Sequence, residues 1–482
     1  MKRNIIVGLH TFYHDGSIAT YDLDTREFKY LKFERITGSK KQYHDDLVSW
    51  VKYLEHLGYS IQDVNVVFLV NVHNIVNHIS SSNEIHYELV DHHECHHHST
   101  SFFNSLVLDD MGSQQDSLSI FKKHKIKEKL LRFNNQGLGK TLDYLWWLWF
   151  KKEKEFPIFQ GTDYAGHTMA LAAFGKDYSN KIKRQVFDKN MESLNYFLEK
   201  NKDKDYEENC KNYVASLHFY WFKKIKNLLK KHFHKNEYFS GSGGVGENII
   251  LNTLIKNEYP NFSPSPHCAD EGTSIGALRY GLKYHYKTNT NINIRNIHQH
   301  DENFGYAKIE TIQKVAELLN QGKLVMWGQG WGEVGPRALG FRSILMNPCI
   351  PNAKEIINDK IKKRIWFRPY GASVPKDSLQ KYFDLNYESP WMLFQAKVKD
   401  PIKFKNITHV DGTCRIQTVD SYNPTFLKLL KEFEKISGFP VLINTSMNLP
   451  GKPIIGTKKD AKDTFNSSQA DVLIVGDEVY LR

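Results

Sequence analysis

The sequence predicts an α/β protein: a strand-rich half that occurs twice, followed by a different α/β domain. Three observations carry this. A meander of short apolar strands opens the chain. A second strand and hairpin of the same order begin at Ser105. A polar stretch of low periodicity then separates both from a new helix–strand series after Tyr306. At 482 residues, two or three domains are expected.

Ile5 to Leu9 reads as a buried first strand running into a polar turn, Thr11 to Gly16. Ile18 to Tyr21 and Phe28 to Phe33 follow as strands, with Asp22 to Thr25 between them, and then a helix from about Asp45 to Leu57. Three strands and a helix in this order open an actin-like ATPase-type half-domain. Val64 to Val72 is a near-continuous apolar run, so a strand buried on both faces that feeds the next helix. Ser105 to Asp109 ends in carboxylates at a glycine turn, and Ser117 to Phe121 is its hairpin partner, which repeats the opening pattern.

Tyr164 to Gly175 reads as a helix with a glycine stop, 176–212 as a charged surface excursion, and Val214 to Phe233 as a long amphipathic helix. Phe239 to Ile249 reads as a strand, a glycine-rich loop and a helix start, whose backbone N–H groups could cradle phosphate. Ser265 to Leu278 brings Asp270 to the mouth of a helix. Lys287 to Glu302 looks like an inter-domain linker, so the expected domains are 1–290 and 306–482, joined by 291–305. In the second, Glu310 to Gln321 is a helix and Leu324 to Gly328 a strand. Val441 to Asn448 is a buried strand emptying into amides and hydroxyls.

Hydrophobic content of 40% and charged content of 25% suit a globular protein. The net charge is +11, but the lysines are dispersed in short pairs, with no arginine-rich arm or zinc finger. A pocket for anionic small substrates explains the basic balance as well as nucleic acid does. Five cysteines far apart, with no CxxC pair, argue against a disulfide framework and fit a reducing cytoplasm. The start of the chain lacks a signal-peptide pattern, and no apolar run is long enough to span a membrane.

Asp91 to His98 carries five histidines. His92 and His96, spaced i, i+4, would stack on one helix face, the geometry that offers two imidazoles to one ion. A plain histidine-rich surface tract is the alternative. Arg337, Arg342, Arg364, Arg368 and Arg415 each sit among Gly, Pro or Ser, and the planar guanidinium suits bidentate recognition of phosphate or carboxylate. The alternative there is scattered ion pairs.

The chain resembles the O-carbamoyltransferases of the nodulation-factor and antibiotic-tailoring (NodU/CmcH) family. The matching stretches are Asp91–His96, Leu108–Gly112, Ala165–Gly175, Gly243–Asn248, Glu333–Leu345, Lys363–Val374, His409–Thr418 and Leu442–Pro453. They are collinear and span most of the chain, and the C-terminal ones are the more specific.

The resemblance implies a duplicated actin-like (ASKHA, Kae-like) N-terminal domain and a YrdC-like α/β C-terminal domain. It implies that carbamoyl phosphate and ATP give carbamoyl adenylate, with transfer of the carbamoyl group to the hydroxyl of a small sugar-like, nucleoside or natural-product acceptor. It places metal ligands at His92, His96, Asp109 and Asp270, a donor set suited to iron(II), with zinc or manganese also acceptable. It places acid/base chemistry at His14 and Asp15, although His14 could as well be a surface turn residue. Gly243, Gly244, Asn248, Asn444, Ser446 and Asn448 would line the nucleotide, and the five arginines would hold carbamoyl phosphate and ATP phosphates. The expected partner is a small-molecule hydroxyl acceptor, with neither membrane nor nucleic acid, and a homodimer is left open. The runner-up reading is a tRNA- or nucleic-acid-modifying carbamoyl-type transferase with the same domain pair.

Overall fold

The computed structural model describes residues 3–11, 14–40, 49–71, 85–100, 102–109, 116–131, 138–150, 164–180, 206–288, 292–293 and 297–482. The chain forms two compact units, Met1–Ser99 with Asp270–Arg482, and Thr100–Ala269.

In the first unit, β1 (Ile5–His10), β2 (Ser17–Asp22), β3 (Phe28–Lys32), β4 (Val64–Asn71) and β5 (Tyr87–Asp91) form a sheet in the order β3-β2-β1-β4-β5. The meander β1–β3 is antiparallel, and β4 and β5 run parallel to β1. The apolar run in β4 is buried on both faces, as expected of a parallel strand. It does not lead straight into the histidines, however: β5 intervenes and its last residue starts their helix. Of the expected helix from Asp45 to Leu57, Val51–His56 is helical, and 41–48 lie outside the described residues.

The second unit repeats this plan. β6 (Ser105–Leu108), β7 (Asp116–Lys122), β8 (Lys125–Leu131), β9 (Phe239–Ser242) and β10 (Phe262–Pro264) take the order β8-β7-β6-β9-β10, antiparallel in the meander and parallel beyond it. The same order and directions twice make the N-terminal part a duplicated actin-like domain. The amphipathic helix is longer than its pattern suggested, Tyr206–His232. Most of the expected excursion before it, 181–205, lies outside the described residues.

The C-terminal part has a nine-stranded mixed sheet of β11 (Val325–Gly328), β12 (Arg342–Met346), β13 (Gly371–Pro375), β14 (Phe383–Asp384), β15 (Phe394–Val398), β16 (Thr413–Val419), β17 (Leu442–Ser446), β18 (Val472–Val475) and β19 (Glu478–Leu481). Its order is β14-β15-β16-β13-β17-β12-β11-β18-β19. Helices Ile309–Asn320 and Pro424–Ser437 bury apolar stripes, Ile312, Val315 and Leu319 on one and Phe426, Leu429, Leu430 and Phe433 on the other, in one core with the sheet. The expected linker is stitched down on both sides. The His300 N–H donates to the Tyr30 carbonyl, the Lys32 N–H donates to Gln299 Oε1, and the Gln299 and Phe304 N–H groups donate to Gly332 and Gly330. Among the described residues no helix is long and apolar enough to cross a membrane.

One packing contact sets the first unit's geometry. Helix Thr273–Tyr284 lies on β1 and on helix His92–His98 at backbone-to-backbone distance. A Cβ on Gly8 would stand 2.1 Å from the Ser274 carbonyl oxygen, and one on Gly276 would stand 1.8 Å from that of Cys95. Gly276→Ala is therefore expected to cost about 3 kcal/mol or more through overpacking. Gly166→Ala, whose Cβ meets nothing within 4 Å, should be neutral or stabilising by about 0.5–1 kcal/mol, because alanine outranks glycine in a helix. Urea denaturation of both variants checks this; equal stabilities would contradict the packing account.

Candidate functional site

Helix His92–His98 starts because the Asp91 side chain caps it, accepting the Glu94 N–H at 3.1 Å. The i, i+4 spacing then stacks His92 and His96 on one buried face, with ring centroids 4.6 Å apart. Their Nε2 atoms lie 3.0 Å apart, and each is close to Asp270 Oδ1, at 3.4 Å from His92 and 3.3 Å from His96. Ligand atoms bound at roughly 2.1 Å to one tetrahedral or octahedral ion stand about 3.0–3.4 Å apart. The three residues therefore fit a divalent cation in both chemistry and spacing.

Asp270 is held by its surroundings. Its carbonyl accepts the Thr273 hydroxyl at 2.6 Å, and the next carbonyl, of Glu271, accepts the hydroxyls of Ser17 (3.0 Å) and Tyr30 (2.9 Å). Burial alone would raise the Asp270 carboxyl, but the His92 and His96 imidazoles hold it well below the usual carboxylate range. His93, His97 and His98 are buried too, so the tract is not a surface feature.

His14 and Asp15 sit on the turn after β1. His14 Nδ1 lies 2.7 Å from Asp15 Oδ2, and Asp15 Oδ1 pairs with Lys32 Nζ at 2.6 Å, which also reaches Glu34 Oε1 at 3.1 Å. Lys32 is buried, which by itself would lower its pKa, yet the carboxylates of Asp15, Glu34 and Glu271 raise it well above the ordinary lysine value. Sequence reasoning missed Lys32, since a lysine ending a strand looks like solvated surface. It also missed His10, whose Nε2 lies 3.0 Å from the His14 carbonyl and which burial pushes down to about 4.

In the second unit, Asp109 follows β6, and its Oδ2 accepts the Gly244 N–H at 2.7 Å. Gly243 is required there: its φ is +93°, and a Cβ would meet the Leu108 carbonyl oxygen at 2.1 Å. The Gly246 and Asn248 N–H groups donate to Gly243 and Val245 within the loop. The expected phosphate cradle is thus largely spent on the loop itself and on Asp109. Asn248 is likewise committed. Its Oδ1 caps helix Ile249–Glu258 by accepting the Leu251 N–H, and its Nδ2 lies 3.0 Å from His218 Nε2.

The arginines divide into two kinds. Arg342 is fully buried, and its Nη atoms donate to the carbonyls of Gln329, Gly330, Phe341 and Glu302, with Phe304 against its face at 3.6 Å. That makes Arg342 a brace of the fold rather than a phosphate ligand, because its donors already hold backbone. Arg415, by contrast, is half-buried beside like charges. Burial first, and then Arg337, Arg364 and Arg368, push it well below the ordinary arginine range. Gly371 makes the room, since a Cβ there would come within 3.3 Å of Arg415 Nε.

Asn444 and Ser446 lie on β17, with Asn448 just past its end. Asn444 Nδ2 donates to Ala338, Ser373 and Gln417, which ties three strands together. Ser446 and Asn448 share an unanticipated partner. Lys362 Nζ, buried, lies 2.6 Å from Asn448 Oδ1 and 2.8 Å from the Ser446 carbonyl. Burial, then Arg364, Lys40 and Arg368, lower the Lys362 pKa well below the usual value. The run Lys362-Lys363-Arg364 was the available signal, but nothing in it says which lysine is buried.

His218 links this geometry to pH. Its Nδ1–H donates to the Val214 carbonyl at 2.8 Å, and burial lowers its pKa to about 4. Its depressed folded pKa means the unfolded chain takes the proton first. The contribution is intact above about pH 6.5 and is lost as pH falls from there towards 4, by roughly 2–3 kcal/mol at pH 4.5. Urea midpoints of wild type and His218→Gln at pH 7 and 4.5 check this: the variant should lack most of that decline, and equal declines would contradict it.

A family model described as Carbamoyltransferase C-terminus matches residues 316–482. Nodulation protein NolNO of Sinorhizobium fredii is 30% identical over 70% of this chain and 54% of its own length. A 3'-hydroxymethylcephem-O-carbamoyltransferase of Amycolatopsis lactamdurans is 28% identical over 66% of this chain and 65% of its own. An uncharacterized protein of Methanocaldococcus jannaschii is 26% identical over 80% and 72%. The chain thus spans about half to two thirds of the two functionally named relatives. Among solved structures, T. kodakarensis HypF aligns at 12% identity and a TM-score of 0.37, over 59% of this chain and 48% of that one. The matches cover up to 80% of this chain, and with the C-terminal family model they make the chain similar to the NodU/CmcH carbamoyltransferases.

Proposed function

We propose that the protein is an ATP-dependent O-carbamoyltransferase. The observation that carries the reading is Arg415, half-buried on β16, with the like charges of Arg337, Arg364 and Arg368 close enough to lower its pKa. Like charges so placed repel one another, and a bound polyanion relieves that repulsion.

In the first half-reaction, carbamoyl phosphate and water yield carbamate and phosphate, and the carbamate oxygen attacks the α-phosphorus of ATP, giving carbamoyl adenylate and diphosphate. Arg337, Arg364, Arg368 and Arg415 hold the phosphate groups, and Lys362 keeps Ser446 and Asn448 in position for the nucleotide. In the second, the acceptor hydroxyl attacks the carbamoyl carbon, and AMP leaves. His14 takes the hydroxyl proton at Nε2, with Nδ1–H directed to Asp15. His92, His96 and Asp270 would hold a divalent ion, which supplies Lewis-acid polarisation of the carbamoyl carbonyl. Asp109 remains in the proposed ligand set on the family resemblance, as do iron(II) as the ion and a small hydroxyl compound as the acceptor.

The test separates the two half-reactions. Wild type should exchange labelled diphosphate into ATP only when carbamoyl phosphate is present. Arg415→Met should lower that exchange by about 100-fold or more, as loss of a charge-stabilising donor does. His96→Ala should keep the exchange but lose bound metal, read by elemental analysis. No carbamoyl-phosphate-dependent exchange by the metal-loaded wild type would overturn the reading.

A further inference from the structure

The four-residue helix Glu34–Thr37 follows β3 and carries Arg35, which is 2% exposed. A buried arginine must spend its donors inside the protein. Arg35 does so on the C-terminal domain: Nη1 donates to the Ile455 carbonyl and Nη2 to the Glu333 carbonyl, each at 3.2 Å.

Those carbonyls are the anchor points of two loops. Glu333 opens the loop that carries Arg337 and closes it as well, because Oε1 accepts the N–H groups of Leu339 (2.7 Å) and Arg342 (3.3 Å). Ile455 closes the loop that carries Asn448, its N–H donating to the Met447 carbonyl at 3.1 Å. The contact is tight on the other side too: a Cβ on Gly456 would stand 2.2 Å from the Arg35 carbonyl oxygen. Arg35 also balances charge. With Arg342 it offsets the buried carboxylates of Asp301 and Glu333, and Arg342 Nη2 lies 3.5 Å from Asp301 Oδ1.

The same short segment faces the other half-reaction. Lys32 and Glu34 pair with each other, and Lys32 holds Asp15 beside His14. Residues 32–35 therefore grip the proposed proton-transfer pair and both phosphate-handling loops.

We infer that Arg35, a residue of the N-terminal half, is a positioning residue for the adenylate-forming loops at 333–342 and 447–455. This rests on the proposed function for what those loops do. Because Arg35 spends its Nη donors on one carbonyl of each loop, its loss acts by letting the two loops move apart. Lysine keeps the charge but, as a single ammonium, does not reproduce the fork that spans both carbonyls.

The experiment uses the full chain with Arg35→Lys and, from the opposite side of the contact, Gly456→Ala. Both should raise KM for carbamoyl phosphate and ATP in diphosphate exchange by about tenfold, the cost of misplaced binding groups, with a smaller change in kcat. Hydrogen exchange should quicken about tenfold in 333–342 and 447–455, and stay unchanged in helix His92–His98. If wild type shows no diphosphate exchange, the proposed function fails, and hydrogen exchange alone decides Arg35. Faster exchange confined to the two loops supports the positioning role. Unchanged exchange, uniform loosening, or unaltered KM in an active enzyme overturns it.

Discussion

The close approach of helix Thr273–Tyr284 to β1 and to helix His92–His98 is the constraint on which the first unit's chemistry depends. Gly8 and Gly276 remove the side chains that would keep these backbones apart. Asp270 sits just before that helix, so a shift of the helix would shift the carboxylate. Metal ligation tolerates errors of only a few tenths of an ångström, and close-packed interiors transmit displacement rather than absorb it. Two glycines therefore decide whether two imidazoles and a carboxylate converge.

Buried charge organises the rest of that unit, in two opposite ways. Arg342, Asp301, Glu333 and Arg35 form a set of cations and anions whose donors and acceptors largely meet backbone or one another. Such a set costs desolvation but locks loops into one arrangement once its hydrogen bonds are made. Arg337, Arg364, Arg368 and Arg415 are cations gathered on cations. An anion would relieve the repulsion in that group, whereas the Arg342 donors are already held by backbone carbonyls.

The duplicated topology shows how one framework is put to different uses. In the first copy, Asp91 at the end of β5 caps a helix and so aims His92 and His96. In the second, Asp109 after β6 is oriented by the Gly244 N–H of a glycine-rich loop. In both copies the aspartate lies at a strand end, where the backbone is released from the ladder and its N–H groups become available.

Much of the fold was legible because hydrophobic periodicity and turn residues are local signals. The opening meander, its repeat at Ser105, the Tyr206–His232 helix from Val214 onward and the β17 strand could all be read from patterning. The i, i+4 histidines were legible for the same reason, since helical spacing alone stacks them. The split among the arginines was not. Arg342 and Arg415 stand in similar Gly- and Ser-rich text, and only packing shows that one is spent on carbonyls and the other faces like charge. Lys32, Lys362 and Arg35 were invisible for a related reason: a lysine or arginine is read as solvated unless a distant partner buries it. By itself, the sequence determined the opening meander and its repeat, the histidine pair and the motifs that carry the family resemblance. Tertiary structure alone decided the distances at which Asp270 meets that pair and which cations are spent on backbone and which face like charge, because burial and charge pairing arise between residues far apart in the chain.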